Sequence, residues 1–207
     1  MKKIIIMGAG GHGQVVADAL IQMDGATPVA FVDENRKLHG KKVMGIPLPG
    51  GNSAISTIEH DGIVLALGNN ELRKRIFTEL SDAGHSFFTV IHPSAIIAPN
   101  VIVGDGCMIL AGAVINTGTV INDNTIVNTN CTVEHHNVIG PHVHIAPGAT
   151  LGGEVTVEEE AMIGIGATVL PRITIHNRAV LGGGATAIND IPAGITAAGV
   201  PARVKDR

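Results

Sequence analysis

Residues 91–115 read IHPSAIIAPNVIVGDGCMILAGAVI, and every sixth residue in them, Ile91, Ile97, Val103, Ile109 and Ile115, is aliphatic. The register runs on without insertion through Ile121, Val127, Val133, Ile139, Ile145, Leu151, Val157, Ile163, Val169, Ile175 and Leu181, sixteen positions of sixteen. Four residues after each comes a second position that is small or branched almost throughout, from Ala95, Val101, Cys107 and Ala113 to Ala179 and Ala185. A period of six fits neither the 3.6 of a helix nor the unbroken alternation of a long strand. It suits short strands joined by tight turns, each hexad forming one face of a coil. Three faces make a coil of eighteen residues, so sixteen hexads stack a little over five coils, about 4.8 Å apart. Residues 91–186 are therefore expected to form a parallel β-helix, preceded by a separate domain over 1–90 and followed by a tail, 187–207.

The rest of the composition agrees with a small-molecule enzyme. There is no Trp or Tyr and only four Phe, so the core is built from small and branched aliphatic side chains. A formal charge of −4 and basic pairs no longer than Lys2-Lys3 and Lys41-Lys42 argue against a nucleic-acid partner. The apolar run Ile4 to Met7 is too short for a signal segment or a membrane span, and a cytoplasmic location is expected. Cys107 and Cys131 fall at the small inward position, where a free thiol packs as a small hydrophobe, so no disulfide is expected. No face shows the flat Thr ladder that a purely structural, ice-binding prism would need.

The first ninety residues open with a buried strand, Lys3 to Met7, a tight turn, Gly8-Ala9-Gly10-Gly11-His12-Gly13, and a helix from Gln14 to Met23. A second strand, Val29 to Val32, ends in Asp33-Glu34, where a ribose-binding carboxylate would stand. Taken alone, this glycine pattern points to NAD. The unit is too small, however: only a strand Gly62 to Leu67, a helix Asn70 to Ala83 and a strand Phe87 to Ile91 follow. Such a Rossmann-like half domain fits a mononucleotide carrying another group, a nucleotide sugar, with the glycines allowing close backbone approach to a phosphate at the helix N-terminus.

Across nearly its whole length the chain resembles the bacterial nucleotide-sugar acetyltransferases of the hexapeptide-repeat superfamily, typified by the UDP-4-amino-sugar N-acetyltransferases of bacillosamine synthesis and by the sialic acid O-acetyltransferases. The stretches that carry the resemblance are Gly8 to Gly13, Val32-Asp33-Glu34, Ala66-Leu67-Gly68-Asn69-Asn70-Glu71-Leu72-Arg73, Val133-Glu134-His135 through Ile139-Gly140, and the closing Ala198-Gly199-Val200-Pro201-Ala202. The resemblance implies a left-handed β-helix, a homotrimer with sites between neighbouring prisms, and acetyl-CoA as co-substrate without a metal. It implies nucleotide contacts from Gly10, Gly11, His12, Asp33, Glu34 and Gly68, with Asn69 and Arg73 as further candidates. His144, Ile165 and Gly183 match positions along the pantetheine arm.

Acetyl transfer from a thioester to an amine needs a base for the amine proton and donors for the oxyanion. Glu134-His135-His136-Asn137 places polar residues where other hexads are bland, and Asn137 is the only amide at a second inward position. The resemblance assigns the base to His135. Eighteen residues on, one coil above, lies Gly153, whose N–H is placed to face the oxyanion and the thioester carbonyl. The bacillosamine-type enzymes commonly carry an acid directly after this histidine, and here that place is His136. The alternatives are an O-acetyltransferase acting on sialic acid, a β-helical zinc carbonic anhydrase using His135, His136, His142 and His144, and a non-catalytic nucleotide-sugar binding protein.

Overall fold

The structure, a computed structural model, describes residues 1–204. The N-terminal part is a three-stranded parallel sheet in the order β2-β1-β5, where β1 is Lys2–Met7, β2 is Ala26–Val32 and β5 is Gly62–Leu65. Alternation along β1 divides its side chains. Ile4 and Ile6 face the helix α1 (Gly11–Gln22), while Ile5 and Met7 face the helix α2 (Asn70–Asp82). The α1 side carries its apolar surface onto the β-helix, packing Val16 and Leu20 in one cluster with Met108, Leu110 and Ile126.

Four departures from the sequence reading are local. Helix α1 begins at Gly11 rather than Gln14, because the glycine turn itself winds into the first helical turn and the Gln14 N–H reaches Gly10 O at 3.0 Å. Strand β2 begins at Ala26 rather than Val29; Pro28 is tolerated because β2 lies at the sheet edge, and the register shifts beside it, between Ile4 and Ile5 of β1. A hairpin of β3 (Lys41–Val43) and β4 (Ile46–Leu48), absent from the sequence reading, turns through Met44 and Gly45, both at positive φ. The stretch Phe87 to Ile91 is not one strand: Phe87 makes a single bridge to Ile63, and Val90–Ile91 is the first strand of the prism.

The hexads form the expected prism. Two-residue strands pair in parallel eighteen residues apart, building three sheets of eight, six and five strands. The inward side chains from Ile109 to Ala187 make one core, with Cys107, Cys131, Thr119, Thr125 and Asn137 all fully buried. Burial pushes the Cys107 thiol up to about 12 and the Cys131 thiol up to about 11, so neither is a nucleophile at neutral pH. Each corner needs one left-handed residue. Every sixth position from Gly106 to Gly184 has a positive φ, between 54° and 71°. Glycine and asparagine suit that conformation, whereas His136, His142, Glu154 and Arg172 occupy it at some cost in strain.

Two expectations about the prism change. A Thr ladder is present: Thr132, Thr150, Thr168 and Thr186 pair in register on the six-stranded face, above Ile96 and Val114. The stack also continues beyond residue 186, since Ile191 bridges Ile175 and strand Thr196–Ala198 pairs with Val180–Leu181. Leu181 pairs with Ala197, so this last coil is two residues short of the eighteen-residue register, and the six-residue period fades there.

Candidate active site

At the glycine turn, two glycines are demanded by packing and two are open, as is Gly68 in the loop after β5. A Cβ on Gly13 would stand 1.9 Å from Gly8 O, so Gly13 serves the close approach of α1 to the end of β1; one on Gly8 would stand 2.7 Å from Ala66 O, so Gly8 serves the close approach of that end to the segment after β5. In front of Gly10, Gly11 and Gly68 there is no atom within 4 Å of such a Cβ. Helix α1 has no side-chain cap and no acidic residue in its first turn. Its free N–H groups and dipole therefore face an accessible cleft at the carboxyl ends of the strands, where an anion is favoured. Beside the cleft, Met7, Val32, Leu67, Leu72 and Ile76 line a cavity of about 270 Å³ rimmed by Asp33, Glu34 and Asn52.

The acidic pair does structural work here. Asp33 accepts the Ala9 N–H at 2.8 Å and the Asn35 N–H at 2.8 Å, tying β2 to the glycine turn, and Glu34 accepts the Asn52 N–H at 2.8 Å. Each carboxylate keeps lone pairs for a further partner. Asn69 caps α2 by accepting the Leu72 N–H at 2.8 Å. Arg73 is fully buried and donates to the carbonyls of Leu67, Asn124, His142 and Val143, which places it between the domains rather than in the cleft.

His12 and His144 meet at this junction, with ring centroids 6.1 Å apart, and His144 lies against Gly68 O and Asn128. Burial, with the Arg73 guanidinium nearby, lowers both imidazoles to about 4. The unfolded chain takes up protons there near 6.5, and the folded chain refuses them until about 4, so acidification through that window favours unfolding. We expect urea midpoints to fall between pH 6.5 and 4.5, with an H12Q/H144Q double variant showing a flatter profile.

His135 stands on the opposite side of the prism. The N-terminal domain covers the eight-stranded face and, through α2, the corner bearing Asn124 and His142. His135 lies at the corner between the other two faces, flanked by strands Thr132–Val133 and Val138–Ile139. Its exposed ring sits over Gly153, where a Cβ would come within 2.4 Å of Cε1 and 2.5 Å of Nε2. Inside the prism the Asn137 amide holds this corner. Nδ2 donates to Glu134 O and Gly152 O, the carbonyls just before His135 and Gly153, and Oδ1 accepts the Val155 N–H at 3.0 Å. Gly153→Ala should displace the ring with little effect on melting, lowering kcat about tenfold or more; an unchanged kcat would show that the ring's seat does not matter.

The site residues thus fall into two groups within one protomer. Gly10, Gly11, His12, Gly68 and His144 gather at the domain junction, and a cavity of about 380 Å³ leads from Gly68 past Met162 and Val180 along the uncovered part of that face. Exposed Ile165 and Gly183 follow on the next corner, while His135 and Gly153 share the far one. The four histidines weighed as zinc ligands do not converge: His142 Nδ1 pairs with Asn124 Nδ2 at 2.9 Å, and His144 faces the glycine domain.

A hexapeptide prism with a histidine seated over glycine, joined to a Rossmann-like half domain, defines a β-helical acyltransferase with an added α/β domain. Residues 3–80 match the PglD N-terminal domain and residues 86–185 the GMPPB C-terminal domain. The UDP-N-acetylbacillosamine N-acetyltransferase of Bacillus subtilis (strain 168) is 37% identical over 99 residues, a stretch covering 47% of this chain and only 46% of that protein. PerB from Caulobacter crescentus, solved with CoA and GDP-perosamine, superposes with a TM-score of 0.93 at 34% identity, covering 100% of this chain and 98% of that one. The acetyltransferase domain of PglB from Neisseria gonorrhoeae FA1090 gives 0.91 at 35% identity, with coverages of 99% and 100%. The chain belongs to the nucleotide-sugar N-acetyltransferases of the hexapeptide-repeat superfamily, with the β-helix that its repeat predicts and the left hand that the resemblance implies. No helix among the described residues is long and apolar enough to cross a membrane.

Proposed function

We propose that this chain moves the acetyl group of acetyl-CoA onto the amino group of a nucleotide-linked amino sugar, a UDP-4-amino-4,6-dideoxy sugar first among the candidates, with His135 as general base. The observation that carries the reading is the His135 ring seated over Gly153 at a corner fixed from inside by Asn137. The glycine turn and α1 N-terminus hold the diphosphate, and Asp33 and Glu34 face the nucleoside. As the amine attacks the thioester carbon, its proton passes to His135 Nε2. The Gly153 N–H supports the oxyanion, the C–S bond breaks, and the coenzyme A thiolate leaves with a proton. Both cysteines lie buried in the prism core, which favours direct attack over an acyl-enzyme.

The nucleotide cleft and His135 lie on opposite sides of one prism, so the reading calls for a second protomer to bring His135 to the acceptor, and a homotrimer supplies it. Ile165 and Gly183 would then line the pantetheine groove from one prism and Gly153 from its neighbour. The test is turnover of acetyl-CoA with UDP- and GDP-linked 4-amino sugars, beside sialic acid as an O-acceptor. N-acetyl product with a nucleotide sugar is expected. Product with sialic acid alone, or none with any acceptor, would overturn the reading.

A further inference from the structure

The two adjacent histidines at the active corner form a pair that nothing above uses. His135 Nδ1 and His136 Nδ1 lie 3.1 Å apart, with ring centroids 5.3 Å apart at an interplanar angle of 76°. Each ring has a seat cleared by glycine: His135 over Gly153 in the next coil, and His136 over Gly118 in the preceding one, where a Cβ would stand 2.6 Å from Cδ2. His136 is also held in the left-handed conformation, at φ 57°. Among the described residues the only histidine paired with a carboxylate is His176, with Glu158. Among the described residues, therefore, no acid orients His135.

Two nitrogens at hydrogen-bond distance must share one proton, and for two neutral rings there are two ways to do so. If His136 Nδ1 carries the proton, His135 accepts it and must hold its own proton on Nε2, the edge over Gly153, where it is useless as a base. If His135 Nδ1 carries it, His136 accepts, and the Nε2 lone pair is bare on the side of the Gly153 backbone. We propose that His136 is a positioning residue that, as a neutral acceptor, holds His135 in the Nδ1–H tautomer and so leaves Nε2 free to take the amine proton. The role rests on His135 being the base, and it places an imidazole where a carboxylate serves the same purpose in other histidine dyads.

Two readouts test the inference. In ¹⁵N imidazole spectra of the intact protein, His135 is expected as the Nδ1–H tautomer, moving toward Nε2–H in His136→Ala. In kinetics, His136→Asp, an acceptor that tolerates positive φ, should keep kcat within a few fold. His136→Ala and the donor-only His136→Lys should lower it roughly 10²–10⁴-fold, the cost of a wrong tautomer, with KM for acetyl-CoA unchanged. Melting temperatures report any backbone penalty separately. A His135 tautomer indifferent to His136, or equal kcat in the Asp and Lys variants, would overturn the role. A wild-type protein without turnover would sink the acetyl-transfer reading instead, while the spectra would still decide the tautomer.

Discussion

Replacing His135 by Ala is expected to lower kcat for acetyl transfer about 10²–10⁴-fold, the usual contribution of one general base, with nucleotide affinity unchanged. The two halves of that expectation have separate structural grounds. The ring is exposed, seated over Gly153 beside His136 and outside the prism core, so its loss removes nothing from that core. The open glycines Gly10, Gly11 and Gly68, proposed to meet the nucleotide, belong to the α/β domain, on the far side of the same protomer. Steady-state kinetics beside calorimetric titration with UDP and GDP would measure both. An unaltered kcat would remove His135 from the role, and a lost nucleotide affinity would show that the ring binds rather than acts.

Arg73→Leu should cost about 3–5 kcal/mol of unfolding free energy, because several buried acceptors lose a charged donor at once. The guanidinium reaches Asn124 O at 3.1 Å, Leu67 O at 2.8 Å, His142 O at 2.8 Å and Val143 O at 3.2 Å, tying α2 to two successive coils. Burial lowers it to about 9, which keeps it charged at neutral pH. Lysine offers a single point of donation where this site uses a fork, so Arg73→Lys should recover only part of the loss. Urea denaturation would check the series; a loss under 1 kcal/mol for the leucine variant would mean that the domains are held by their apolar contacts alone.

The prism was legible because an inward side chain recurs at a fixed interval, and no tertiary accident can disguise sixteen repeats. Two features of the same repeat were harder to see. The left-handed corner column is written in Gly106, Gly112 and Gly118, then passes to Asn124, Asn130, His136 and His142, so residue identity hides a constant conformation. The Thr ladder lies at the outward strand position, next to the aliphatic position that draws attention. In the α/β domain the punctuation misled at both ends: glycines concealed the first turn of α1, and Pro28 concealed the first half of β2. Among the site residues, His135 came from the resemblance, and the stacking of Gly153 against it followed from coil arithmetic. The burial of Arg73 and the pairing of His12 with His144 did not, because they arise where two domains with unrelated periods meet.

The final coil bears on how the protein behaves in company. A stack of parallel strands offers at its end a row of unpaired backbone groups, an invitation to a further parallel strand from any other copy. After Thr196–Ala198 the chain doubles back, and Arg203–Val204 pairs antiparallel with Ala197 and Ala198, the only reversal on that face among the described residues. An incoming prism would meet a two-residue strand running the wrong way and bearing an exposed arginine. On that face the reversal therefore works as a stopper against end-to-end growth into fibres.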